Sequence, residues 1–179
     1  GVLNFPARFF LAAAMNPCPC GYFGDSEKEC RCTANEVFRY QKKLSGPLLD
    51  RIDIQIDVPR IKIEELRKGN KDAVLNKKIR DSVVKAREIQ KERFSKDGYK
   101  INLNSEMSSK LVDKMINLSD DAEIFIKNIL EKSFVSARGY YRILKIARTI
   151  ADLEKEEKVS QNHLAEAFQY RVREKDKSL

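Results

Sequence analysis

The sequence predicts an α/β fragment that is mostly helical, with two strands near its start, then a long helix and an all-α domain. Three observations carry this. Phe9 to Met15 is apolar without polar alternation, as in a strand buried on both faces of a parallel sheet. Ile52, Ile54, Ile56 and Val58 alternate with Asp53, Gln55 and Asp57, the period of a strand with one buried face. Beyond residue 100, four helical segments each start at a capping residue and are joined by short polar connections, as in a small bundle. The expected divisions are residues 1–60, a linker with a long basic helix over 61–100, and a helical domain over 101–174.

Residues 8–15 form the first expected strand, stopped at Asn16-Pro17 because proline cannot donate to a ladder. Asn16 then stands at the carboxyl end of a central strand, where α/β sheets place ligand-facing polar groups. The stretch from Pro17 to Cys32 contains Pro17, Pro19, Gly21 and Gly24, too much punctuation for regular structure. Thr33 and Glu36 make a capping box for a helix reaching about Lys43, with Val37, Tyr40 and Leu44 inward. Ser45 to Arg51 reads as a second cap and one helical turn with Pro47 near its start. Ile52 to Val58 follows as the second strand, and Pro59 ends it.

A long helix is expected from Asn70 to Asp97, with Leu75, Ile79, Val83, Ala86 and Ile89 on one stripe. Nine basic and five acidic residues in this span suit a solvated face or a surface toward a nucleic-acid backbone. Asn104 or Ser105 should cap the next helix, ending near Asn117. Ser119-Asp120-Asp121 opens another to about Ser133, with acids at its positive end. Ser136 caps a third reaching Leu153. Ser160 caps the last, to about Arg173, beyond which the chain should fray.

The chain has 179 residues, 42% apolar and 35% charged, enough for a core. No apolar run approaches the roughly 20 residues that span a bilayer, and no secretory signal opens the sequence, so a cytoplasmic protein without membrane partners is expected. The net charge of +8 fits contact with polyanions and equally fits solvated helix faces.

All four cysteines, Cys18, Cys20, Cys30 and Cys32, fall within fifteen residues. In a reducing compartment this favours a structural zinc site over disulfides, a redox pair or unliganded thiols, although the one-residue spacing within each pair is tighter than in most zinc knuckles. His163, the only histidine, opens a distant helix and suits a solvated or capping role better than ligation.

Four strings, Phe5-Pro6-Ala7-Arg8-Phe9-Phe10, Ala13 to Tyr22, Ser45 to Asp53 and Ser136 to Thr149, together resemble the magnesium-chelatase-like AAA+ ATPases of the ComM/YifB branch. The resemblance runs in order through nearly the whole chain and covers only the carboxyl-terminal part of that architecture: the end of the AAA+ core and the helical lid. It implies that Asn16 is the sensor 1 residue beside the γ-phosphate, Arg51 the arginine finger, and Arg138 the sensor 2 arginine. It further implies ATP and Mg²⁺ as cofactors of the intact protein, a hexameric ring of identical subunits, and a nucleic-acid substrate, DNA branch migration in natural transformation being the leading possibility. Without the resemblance, Arg51 would read as a surface ion-pair partner of Asp50 or Asp53. Arg142, Lys145 and Arg148 continue from Arg138 at helical spacing, and Arg142 and Arg148 are expected on a solvated face.

The 179 residues contain no G-x-x-x-x-G-K-[ST] loop, and no strand ends in the acidic pair that would hold Mg²⁺. The chain alone is therefore expected not to hydrolyse ATP, and to be a piece of a longer polypeptide or a split gene product. Two rivals stand beside this: a non-enzymatic zinc-containing module that binds nucleic acid, and a module that only docks other subunits.

Overall fold

The computed structural model describes residues 2–3, 9–61, 72–132 and 135–171. Arg8, the first residues of the expected long helix, Ser133 and the chain beyond Arg171 lie outside the described residues. Two compact units divide at Gly46 and Pro47.

The first unit is built around a loop and one helix, α1 (Ala34–Gln41). The predicted capping box forms: the Glu36 amide donates to Thr33 Oγ1 at 3.3 Å, and Glu36 Oε2 accepts from the Thr33 amide at 2.8 Å. Those amide and hydroxyl donors hold the Glu36 carboxyl below its ordinary range. Val37 is buried, with Tyr40 and Leu44 half-buried, so the inward face is as expected.

A single helical turn, α2 (Gly46–Leu49), comes next. Among its described residues, the regular elements of the second unit that follow are helical: α3 (Ala73–Lys96), a 3₁₀ turn (Asn104–Glu106), α4 (Ser109–Met115), α5 (Asp120–Lys132), α6 (Ala137–Glu154) and α7 (Gln161–Gln169). Helix α6 is central, packing against α3, α4, α7 and the 3₁₀ turn. Its buried residues Ile143, Leu144, Ala147, Ile150 and Ala151 recur at helical spacing. Ala147 and Ala151 carry only methyl groups, which permits close helix approach. Phe94, Met107, Val112, Ile126 and Leu164 fill the same core.

Helix ends follow the caps. Ser136 Oγ accepts from the Gly139 amide at 3.0 Å, and Asp72 Oδ1 from Leu75 at 2.9 Å. Helix α6 closes on Lys155 in the left-handed region (φ +64°), with Glu156 N–H reaching Ala151 O at 2.8 Å in a Schellman arrangement. His163 does cap: its Nδ1 accepts from the Ser160 amide at 3.0 Å, but the ring is buried rather than solvated.

Three expectations are corrected. Neither expected strand pairs: among the described residues the β pairing is one parallel bridge, Leu118 with Val159. A strand exists only with a partner edge, and no described segment offers one to Phe9–Met15 or Ile52–Val58. Apart from the half-buried Ile52, their apolar side chains stay in water, Phe10 at 91% and Ile56 at 66% exposure. Second, the stripe on α3 is not buried along its length. Leu75, Ile79 and Val83 are exposed, while the core takes Ala86, Gln90 and Phe94 from the carboxyl-terminal half. Third, Ser108, not Asn104 or Ser105, caps the helix that follows, because Asn104 is drawn into a buried polar cluster.

Candidate functional site

Two groups of side chains stand out, one in each unit. In the first, the sulfurs of Cys18, Cys20, Cys30 and Cys32 all lie within 4.8 Å of one another. Cys18 Sγ is 3.4 Å from Cys20 Sγ and 3.7 Å from Cys30 Sγ, and Cys20 Sγ is 3.6 Å from Cys30 Sγ. Four sulfurs tetrahedrally placed about 2.3 Å from a zinc ion would be separated by about 3.8 Å, so the cluster has the right size. No disulfide joins these cysteines.

The loop earns this convergence through its turns. Gly21, at φ +85°, turns the chain after Cys20, with its amide on Cys18 O at 3.1 Å. Gln41 of α1 donates to Pro17 O at 2.9 Å and anchors the loop from the helix. Amides of Tyr22 and then Arg31 pointed at Cys20 bring its thiol down to about 6. Against the Cys20 amide, burial and the neighbouring sulfurs push Cys32 up to about 12. Four soft donors, one already inclined to ionise, can hold a metal such as zinc. Asn16, exposed at the end of the Phe9–Met15 segment, lies against Gly21 of this loop.

The second group surrounds Asp50. Arg138 Nη1 stands 3.9 Å from Asp50 Oδ2, with half its side chain exposed. The Ser136 hydroxyl donates to both Asp50 oxygens at 3.3 Å, and Arg171 Nη2 to Oδ1 at 2.9 Å. Arg51, next in sequence, is exposed, and its Nη1 donates to Pro47 O at 3.0 Å, so it forms no ion pair with Asp50 or Asp53. Asp53 instead pairs with Arg142. Arg138 thus stands beside the Asp50 carboxylate and Arg51 follows Asp50 in the same unit, while Asn16 lies in the other unit.

Arg148 corrects its expected place. It is buried and paired with Asp152, one turn on in α6, at 3.0 Å, and it donates to the carbonyls of Glu156 and Glu157. Burial lowers its pKa against the pull of Asp152. Arg93 and Asn104 Nδ2 (2.8 Å) complete the shell of Asp152. The 148/152 spacing was a readable signal for the ion pair, though not for its burial. Asp50 and Arg171, separated by 121 positions, gave no sequence signal at all.

The chain matches two family sequence models: "Magnesium chelatase, subunit ChlI" over residues 1–66, and "Magnesium chelatase, subunit ChlI C-terminal" over residues 75–171. The "Competence protein ComM" of Haemophilus influenzae is 40% identical over 170 residues, which are 95% of this chain and 32% of that protein. The "Uncharacterized protein YifB" of Salmonella typhimurium is 35% identical over 174 residues, 95% of this chain and 32% of that protein. An uncharacterized protein of Mycobacterium tuberculosis, Rv2897c, is 33% identical over 96% of this chain and 33% of its own length. The chain therefore spans about a third of the length of the curated relatives it matches. With the carboxyl-terminal match lying within the helical unit and the two matches together covering most of the chain, the chain belongs to the magnesium chelatase ChlI-type family, in its ComM/YifB branch.

Proposed function

We propose that this chain is the part of a ring-forming AAA+ ATPase that brings polar and cationic groups to a bound triphosphate: Asn16 as sensor 1, Arg51 as the arginine finger and Arg138 as sensor 2. The phosphate-binding loop and the Mg²⁺ ligands are absent from the 179 residues, and a longer polypeptide supplies them in this reading. The divisions that go with it are the end of an AAA+ core over 1–60, a linker over 61–100 and a lid over 101–174.

The observation that carries it is the presentation of two arginines by one unit. Arg138 is half exposed, with its carboxylate partner at 3.9 Å, and Arg51 is exposed with a backbone contact at Pro47. Each guanidinium has five N–H donors, so both retain capacity for phosphate oxygens. Phosphoryl transfer is driven by cations and oriented donors around oxygens that gain charge, and an arginine reaching in from a neighbouring subunit contributes roughly 10³ to 10⁵ in rate. Asn16 would orient the attacking water. Bound Mg²⁺ would neutralise charge on the phosphates.

Zinc is the proposed occupant of the four cysteines, with a structural role: four sulfur ligands leave no open coordination position. In this reading the intact protein is a cytoplasmic hexameric motor acting on DNA, and a relative named for competence is support for the DNA substrate. The exposed first half of α3, with Lys77, Lys78 and Arg80, and Lys85 just after it, would face the nucleic-acid backbone.

The test is ATP turnover by a protein of the relatives' full length that contains this chain. Arg51→Ala should lower kcat by about 10³ and leave nucleotide binding intact. Unchanged turnover would remove Arg51 from the site. The same basic helix supports a second reading, a nucleic-acid-binding module without ATPase function. DNA binding by this chain alone, with a slope of log K against log salt of about −0.9 per phosphate contact, would favour that reading.

A further inference from the structure

We propose that Arg171 is a positioning residue that pins the Arg51 loop to the helical unit, so that Arg51 and Arg138 meet one polyphosphate as a pair at fixed separation. The proposal rests on the reading of Arg51 and Arg138 above and adds a residue that neither their sequence neighbourhood nor the family match singles out.

Only 9% of the Arg171 side chain is exposed. A guanidinium that far from water persists where its donors are met. Three contacts meet them: Nη1 donates to Ile52 O at 3.0 Å, while Nη2 donates to Asp50 O at 3.3 Å and to Asp50 Oδ1 at 2.9 Å. Burial lowers the Arg171 pKa, and the charge of Asp50 opposes that shift.

The choice of acceptors is informative. An ion pair serving stability alone needs only the carboxylate. Arg171 also binds the two carbonyls that flank Arg51, which fixes the backbone on both sides of that residue and leaves its own guanidinium outside. Gly139 lies beside this contact: a Cβ there would sit at ordinary contact distance from Arg171 Nη2, 3.8 Å, and tightly only against Val135 Cγ1 at 3.1 Å and Ser136 Oγ at 3.3 Å. Further attachments extend the seam, from the Gln55 amide to Tyr170 O at 2.7 Å and from Arg142 to Asp53. Ser136 and Arg138 reach the same Asp50 from the start of α6. Residues 50–55 are therefore held by the end of α7 and the first turns of α6, and any displacement of these helices carries Arg51 with it.

Trypsin cleavage after Arg51 in the full chain, followed by mass spectrometry, tests this against cleavage after the exposed Lys100. In Arg171→Ala, cutting after Arg51 should accelerate about tenfold or more relative to Lys100, because cleavage follows the population of the opened segment. Arg171→Lys retains the charge under Asp50 but cannot span all three acceptors, and an intermediate rate is expected. It also serves as the working variant where alanine does not fold. An unchanged Arg51 rate in a folded variant, equal acceleration at both sites, or a lysine variant that protects no better than alanine would each overturn the proposal. Failure of the nucleotide reading registers separately, as wild-type ATP turnover in Arg51→Ala while the Arg171 variants, which keep Arg51, still show this cleavage pattern.

Discussion

Replacing Asp152 with alanine should cost the helical unit about 3–5 kcal/mol, the range for breaking a buried ion pair by removing one partner. Its side chain is fully buried and receives Arg148 Nε at 3.1 Å, Arg93 Nη1 at 3.1 Å and Asn104 Nδ2 at 2.8 Å, with Arg148 Nη2 at 3.0 Å. The partners do not suffer equally. Arg93 keeps 20% of its side chain in water and can turn outward, whereas Arg148 keeps 3% and would be left as an uncompensated buried charge. Asn104, 1% exposed, would also lose an acceptor. The expected loss is therefore governed by Arg148 and is smaller than the sum of the bonds broken. Against a total stability of roughly 5–15 kcal/mol for a domain, it is about a fifth or more. Urea unfolding followed by far-UV circular dichroism should show a lower midpoint at unchanged slope. Arg148→Met with Asp152→Leu should recover most of the loss, since replacing a buried pair by apolar side chains is often neutral. A loss below about 1 kcal/mol in Asp152→Ala would refute the reasoning, because it would mean that Arg148 reaches solvent without rearranging the core.

Two further outcomes can be checked with the chain itself. Cys20→Ser should abolish stoichiometric zinc binding, measured by metal analysis after dialysis. In the unaltered chain, affinity should rise with pH across the neutral range, because the metal must displace the proton that Cys32 holds up to about 12. Lys155→Gly should stabilise the helical unit by about 1 kcal/mol, read from thermal melting, since a left-handed residue with a side chain is strained at φ +64°.

Local chemistry was legible in the sequence. The Thr33/Glu36 box, the Ser136 cap and the start of α5 near Asp120 each depend on residues within one turn, and each appears in the structure. Four cysteines in fifteen residues likewise announced their cluster. What failed was what depends on distant partners. Phe9–Met15 has the composition of a buried strand, but a ladder is a property of two segments, and composition reports one. Asn104 looked like a cap because asparagine often is; Asp152, 48 positions away, claims its amide instead. Arg148 looked solvated because arginine usually is, and only packing around α6 decides otherwise. The gathering of Arg138 and Arg171 at Asp50 needed the fold to be seen.

The unpaired stretch at the start has a practical consequence. Seven successive residues from Phe9 to Met15 carry no charge and no proline, and both phenylalanines face water. Such ribbons template intermolecular stacking when concentrated. Purification of the isolated polypeptide should accordingly yield clumping that worsens with concentration, and replacing Phe10 by lysine should clear the solution while the helical unit melts as before.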